Sequence, residues 1–583
     1  MPLLFSDRKI LLRAVLGAFT AVSASAQADD PSVGGRAAQT GARVEAEQAA
    51  VAPLFERPVN VTSELTTRLT THLADAPAGT SGSASAATFH AKLMGWSSTS
   101  AACASSPTCG ETVHSKLMGW GSPSDACATS SDCDGTIDDW LDDLDSDRPL
   151  LADFRNVCLG NGVTASVGGE ARFRHMNEDM RLRPGGPARS TYDLWRIVPH
   201  LELKYGECIT GYVQAIDASI FNEDLPVTAI DRNRADLLQY YVDVALGDVG
   251  CGTVHARGGR QFLKYGSQHL ISPLAWGNTY RNFEGVKLYY TSDDWDIDGF
   301  WTQPVNGAAG NVFRPTSFDH PDVSRYFSGI YSTYKGLDNA VLDVYWLFLD
   351  EDNDKVNRID GERHTIGARY DGKTVTKDCC GKVLNTVTFE LEGAYQFGDS
   401  ESFLSAVDED IDAGMLHSSI GYTMNQVMWS PTIKGVFYWA SGDDNPGDGE
   451  NNNFNTLFPL GHAYWGILDN LDGSNLFDYS IQAIVKPSRK LTLLSAIHWF
   501  EKDESASPIF NVAGTPFPGG ATTNGDKDIG SELDLIATYA HSELLQIQFG
   551  YSWFWYGEAV TQAAAPLPRG DASQLYFMTT YAF

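Results

Sequence analysis

Beyond its first residues the chain has no apolar run approaching the roughly 18 residues that a membrane-spanning helix needs, and its mean hydropathy is −0.22. A helical membrane protein is thereby excluded. Basic charge is scarce: 42 Lys and Arg stand against 74 Asp and Glu, for a net charge of −32. Nucleic acid, whose phosphates need a basic surface, is excluded as a partner. Cysteine is sparse, at 9 in 583 residues. A nucleophile elbow is missing as well. His462, Ser441 and Asp443 lie near one another, but Ser441-Gly442-Asp443 is ordinary turn chemistry, and no enzymatic role is expected.

What is present begins with a secretory leader over residues 1–26. Arg8, Lys9 and Arg13 give a positive start, Ile10 to Val22 supply a short apolar run, and Ala24-Ser25-Ala26 offers a cleavage site, with Ala26-Gln27-Ala28 as the alternative. Export implies an oxidising compartment, so the cysteines are expected mostly in disulfides. Residues 27–88, rich in Ala, Thr, Ser and Gly, read as a flexible segment. A tandem repeat follows within 89–149: His90, Lys92 and Trp96 return as His114, Lys116 and Trp120, and Cys103 and Cys109 return as Cys127 and Cys133. The cysteine spacing suits two small disulfide-closed loops better than a zinc knuckle. The repeat is a candidate contact for the cell wall or a periplasmic partner. Asp132 to Asp138 resembles part of a calcium loop but lacks its first and closing acids, Ser130 and Leu141 standing there. An acidic linker ends at Pro149, and a domain boundary is placed near residue 150.

From about residue 160 the texture is alternation. Val387, Phe389, Leu391, Tyr395 and Phe397 share one face, with Thr388, Glu390, Glu392 and Gln396 on the other. Leu545 to Trp555 and Ala340 to Asp350 repeat the pattern. About eighteen such segments, of roughly the ten residues a tilted strand needs to cross a bilayer, centre near residues 169, 199, 213, 241, 258, 286, 299, 330, 345, 367, 391, 419, 435, 481, 495, 535, 549 and 578. Tight connections such as 205–208 alternate with long ones such as 441–476. The last segment places Leu575, Phe577, Thr579, Tyr581 and Phe583 on one face, the assembly signal of bacterial outer-membrane barrels. The fold expected over 150–583 is all-β: a transmembrane antiparallel β-barrel of about 18 strands, in contact with outer-membrane lipid, behind an N-terminal periplasmic extension.

A charge facing lipid costs about 2–4 kcal/mol at the bilayer midplane, so strand charges are assigned to the lumen. Strand parity gives an inward basic set of Arg172, Arg174, Arg196, Lys204, Arg257, Arg281, Lys287, Arg363, Arg369, Lys434 and Lys486. The inward acidic set is Glu202, Asp243, Asp343, Glu390, Glu392, Glu532 and Asp534. Rings of Arg and Lys select anions, and Arg reads carboxylates bidentately; the alternative is a structural ion-pair ladder. Arg260 breaks parity with Arg257, and a β-bulge at Gly258-Gly259 would re-aim it inward. The excursion 266–277 is expected near the pore mouth or within it.

These residues resemble the bacterial alginate-export outer-membrane family over roughly 160–583. Gly259-Arg260-Gln261 with Tyr265-Gly266 looks like its strand motif, and Trp276, Asn278, Arg281, Phe283 and Gly285 look like the continuation. Ala440 to Asp443, Leu457-Phe458-Pro459, His462, Tyr464, Gly466 and Asp469 resemble its long loop. Thr365, Gly367 and Arg369 fit a further strand, with His364 at a variable position. The resemblance implies a monomeric eighteen-stranded barrel passing an anionic uronate polysaccharide through an arginine-lined constriction. The substrate-binding candidates are Arg172, Arg174, Arg196, Arg257, Arg260, Arg281, Lys287, Arg363, Arg369 and Lys434. The competing reading is a general or small-anion porin. No cofactor is expected, although the acidic loops around 443–450 could hold calcium.

Overall fold

The computed structural model describes residues 151–583, apart from 184–185, 307–317, 353–359, 402–407, 518–524, 564–567 and 569. The leader, flexible segment, tandem repeat and calcium-like loop lie outside the described residues. A 21-stranded sheet dominates. In chain order the strands are β1 (Val157–Gly160), β2 (Val163–Asp179), β3 (Ser190–Tyr205), β4 (Ile209–Phe221), β5 (Asn233–Val249), β6 (Gly252–Gln261), β7 (Phe283–Ser292), β8 (Trp295–Asn306), β9 (His320–Pro321), β10 (Arg325–Leu337) and β11 (Ala340–Glu351). They continue as β12 (Gly361–Lys377), β13 (Val383–Glu401), β14 (Asp408–Met424), β15 (Thr432–Ala440), β16 (Glu450–Asn451), β17 (Leu476–Val485), β18 (Leu491–Glu501), β19 (Asp528–Ala540), β20 (Leu545–Tyr556) and β21 (Ala572–Ala582).

Setting aside the short β1, β9 and β16, the strands close an antiparallel barrel of 18, and every centre read from the alternation falls inside one of them. Closure is made by β2, which pairs with β3 on one side and β21 on the other. At the seam Gly169 and Phe583 exchange both backbone hydrogen bonds, at 3.1 and 3.0 Å. Phe583 is not a lipid-facing residue: it is buried, packed beside Leu151, Val167 and Tyr581.

The pleat sorts the side chains as bilayer physics requires. Val286, Leu288, Trp301, Ile330 and Ile420 each expose half or more of their surface outward. Their neighbours in sequence, such as Phe300 and Ser419, are buried inside. No helix among the described residues is long and apolar enough to cross a membrane. Strands run from 9 residues in β15 to 19 in β13, so several extend past the bilayer. Of the five described cysteines, Cys208 and Cys251 are disulfide-bonded, and Cys158, Cys379 and Cys380 are free.

Candidate functional site

The long connections turn into the barrel and pair with one another. Residues 262–282, between β6 and β7, meet residues 441–475: Phe458 donates to the Leu270 carbonyl at 2.9 Å, Ser272 to that of Phe458 at 2.9 Å, and Leu460 to that of Gln268 at 3.0 Å. Residues 502–517 extend the assembly, Asp472 donating to the Phe510 carbonyl at 3.1 Å. These loops are apolar where strand loops are usually polar. Leu270, Ile271, Phe458, Leu468 and Leu471 are buried in one cluster with the wall residues Phe283 and Phe327. Phe458 meets Phe283 edge-on at 5.1 Å and Phe327 at 4.8 Å. The three loops thus pack as one plug against the inner wall.

Three wall arginines hold that plug. Arg172 and Arg174 on β2 and Arg196 on β3 are each at most 4% exposed. Arg172 donates to the Ala275 carbonyl at 2.9 Å, and Arg196 to the carbonyls of Ala275 and Gly277 at 2.8 Å each. Arg174 donates to the Trp276 carbonyl and lies over the Trp276 ring at 3.6 Å. Glu170 joins the group through Arg196 at 2.6 Å. Asn278 fastens the same loop to wall and rim, donating to the carbonyls of Trp195, Ser219 and Asp231.

The other basic candidates are dispersed among separate partners. Arg257 pairs with Asp243 at 2.7 Å and Lys287 with Asp298 at 2.8 Å, both on inward faces. Arg363 donates to Gln396 at 3.0 Å. Arg369 is a hub, contacting Glu390 at 2.6 Å, Asp371 at 2.7 Å and Asp343 at 3.0 Å. Lys434 lies in the field of Glu390 and Asp371. Lys486 lies beyond the end of β17, in a turn. Arg281 precedes β7 rather than lying in it; it belongs to the plug and donates to the Pro459 carbonyl at 3.2 Å.

Arg260 corrects the expected bulge. The ladder from β6 to β5 and β7 runs unbroken through Gly258 and Gly259, so Arg260 shares the outward row of Val286 and sits opposite Glu284. It is buried there, bonded to Glu284 at 3.0 Å and to the Asp319 carbonyl at 2.7 Å. The glycines serve close approach instead. Gly259 and Gly285 face each other at φ of 128° and 158°, where a Cβ would fall 2.2 Å from the Tyr240 carbonyl oxygen and 2.3 Å from that of Trp301.

Those motifs, with the closed barrel, agree with comparison to known proteins: the profile of the alginate export family matches residues 163–566. The chain belongs to the alginate export family. It is therefore an outer-membrane channel protein. No curated protein sequence matches it. Solved structures with some likeness include Pseudomonas aeruginosa OccK5 (OpdH), at 11% identity and TM-score 0.48 over 72% of this chain and 98% of that one. The P. aeruginosa outer membrane protein OprD gives 11% and 0.48 over 72% and 94%. Acinetobacter baumannii OccAB1 gives 12% and 0.47 over 72% and 96%.

In this member of the alginate export family, Ser441, His462 and Asp443 form no catalytic relay. His462 bonds Asp469 at 3.1 Å and stacks on Trp276 at 4.1 Å, while Ser441 donates to the Asn452 carbonyl. A groove of about 710 Å³ lies on the outer wall among Val242, Val286, Leu288, Trp301 and Ile330, so it faces lipid, not the path. Strand parity missed the plug residues Trp276, Asn278 and His269, because they sit on no strand.

His462 gives the plug a pH dependence. Burial pushes its imidazole below its ordinary value; Asp469 and, more weakly, Asp534 offset part of this, and Arg174 adds to it. The folded plug therefore favours the neutral ring. Its stability is complete above about pH 6.5 and falls as pH drops through the lowered folded value. Single-channel conductance in planar bilayers is expected to rise between pH 7.5 and pH 5, with the rise reduced in His462→Gln. An equal rise in that variant would overturn this assignment.

Proposed function

We propose that the barrel is a plugged channel for an anionic uronate polysaccharide or its fragments, which passes along the arginine-bearing wall when the loops move. The supporting observation is the set Arg172, Arg174 and Arg196, whose guanidiniums converge on the backbone carbonyls of residues 275–277. A carbonyl carries a partial charge; a carboxylate carries a full one and accepts a fork of two parallel bonds from one guanidinium. The loop oxygens thus occupy the positions that sugar carboxylates would take. Family membership supports the same substrate class. On this reading transport is passive and the barrel acts as a monomer. The N-terminal repeat would tether it to the cell wall or a periplasmic partner.

Planar-bilayer recording tests the proposal. Anion preference in a salt gradient, with block by oligouronates and not by neutral oligosaccharides of equal length, is the expected result. Cation preference would overturn it. Anion conductance that uronates leave unblocked would instead favour a small-anion porin.

A further inference from the structure

Plug and wall meet at a second polar cluster that the pathway does not use. His269 comes from the plug loop 262–282. Glu390 and Glu392 lie on one face of β13, and His417 lies on β14 directly across from Glu392. Both histidines and Glu392 are almost fully buried. His269 Nδ1 is 2.6 Å from Glu392 Oε2, and His417 Nε2 is 3.7 Å from Glu390 Oε2. The imidazole rings lie 4.2 Å apart.

The outer contacts are sorted by oxygen. Tyr345 donates to Glu392 Oε1 at 2.8 Å. Arg369 at 2.6 Å and Ser267 both donate to Glu390 Oε1. Each carboxylate is thus held through one oxygen by a supporting donor, and its other oxygen is turned to an imidazole. That is how supporting groups orient metal ligands. His269 Nε2 and both ring nitrogens of His417 are buried with no hydrogen-bond partner. A simple His269–Glu392 hydrogen bond accounts for none of these, and unpaired buried nitrogens are costly. The carboxylates of Glu390, Glu392, Asp343 and Asp371 also outnumber the neighbouring cations Arg369 and Lys434.

We infer that His269, Glu390, Glu392 and His417 form a site for a divalent zinc-type ion that fastens the plug to the wall. Ligand atoms of His269, Glu390 and Glu392 already lie within 4.8 Å of one another. Tetrahedral ligands at about 2.0–2.2 Å from zinc stand about 3.3–3.6 Å apart, so the wider separations close by about 1–1.5 Å while the 2.6 Å His269–Glu392 contact opens by about 1 Å. Two imidazoles favour zinc and its neighbours over calcium or magnesium, which prefer oxygen alone. One ligand comes from the plug and three from the wall, so removing the ion frees the plug. This latch rests on the channel reading; the metal site does not.

The full-length protein, loaded with Zn²⁺ and dialysed, is expected to hold one ion per chain more than His269→Gln or His417→Gln, by elemental analysis. His364→Gln, on a lipid-side aromatic cluster, serves as the control and should match wild type. Co²⁺ in place of zinc should give visible absorption of a four-coordinate site, lost in the same two variants. Heat-modifiable gel mobility verifies that each variant is a folded barrel. Chelation should raise wild-type conductance at least twofold, reversibly with Zn²⁺, and leave His269→Gln unchanged. Equal metal content in wild type and both variants would overturn the site. Site-specific zinc with chelation-insensitive conductance would overturn the latch. A barrel that holds the zinc yet never conducts would overturn the channel reading alone.

Discussion

Replacing Arg172, Arg174 and Arg196 together by alanine is expected to raise single-channel conductance severalfold. A hydrogen bond to a charged group contributes about 1.5–3 kcal/mol, and these side chains make at least four such bonds to the 275–277 backbone. Loss of even about 4 kcal/mol shifts a closed–open equilibrium nearly a thousandfold. The sign is diagnostic. Were these arginines merely an anion-attracting lining, removing three cations would reduce anion current. A rise shows that the plug was held by them; a fall would assign them to an open lining and remove their role in holding the loop. Asn278→Ala should act in the same direction but more weakly, since it breaks neutral bonds.

Arg369→Ala is expected to have the largest effect on stability, lowering it by about 3–5 kcal/mol, the range for breaking a buried charge pair. Arg369 is 7% exposed, and its guanidinium contacts Asp343, Asp371 and Glu390. Without it those carboxylates face one another. Asp343→Asn in the same chain should recover part of the loss, because it removes one of the stranded charges. Arg369→Lys should recover little, since one ammonium cannot reproduce a three-way fork. Guanidinium unfolding followed by tryptophan fluorescence measures each. A midpoint for Arg369→Ala equal to wild type would remove Arg369 from the stability argument.

The wall was legible because its physics is local. Lipid on one side and a polar interior on the other impose period two, and the rows of Leu391 and Gln396 or Phe549 and Gln548 show it directly. The plug was far less legible. Its main bonds run from side chains to backbone carbonyls, and a carbonyl leaves no trace in residue identity. Arg172 was recognisable as inward-facing, but nothing in the sequence marked Ala275 and Gly277 as its acceptors. Arg281 was given to a strand by parity with the apolar row Val286, Leu288 and Tyr290; the strand begins two residues later, at Phe283. Arg260 was expected to turn inward because burying an arginine in an outward row is costly, and the cover from Asp319 and Glu284 comes from distant sequence. His269 and Glu392, 123 residues apart, had no signal to join them.

The arginine hold on the plug also sets its response to the ionic strength of the medium. Mobile ions screen exposed charges over a Debye length of about 8–10 Å in ordinary salt. They will loosen a rim pair such as Arg189–Asp179, whose arginine side chain is 73% exposed. The guanidinium–carbonyl contacts at residues 275–277 are sealed from water, and one partner is a dipole rather than a charge. Brine and dilute buffer should therefore find the same closed barrel, so the concentrated electrolytes used for electrical recording will not by themselves release it.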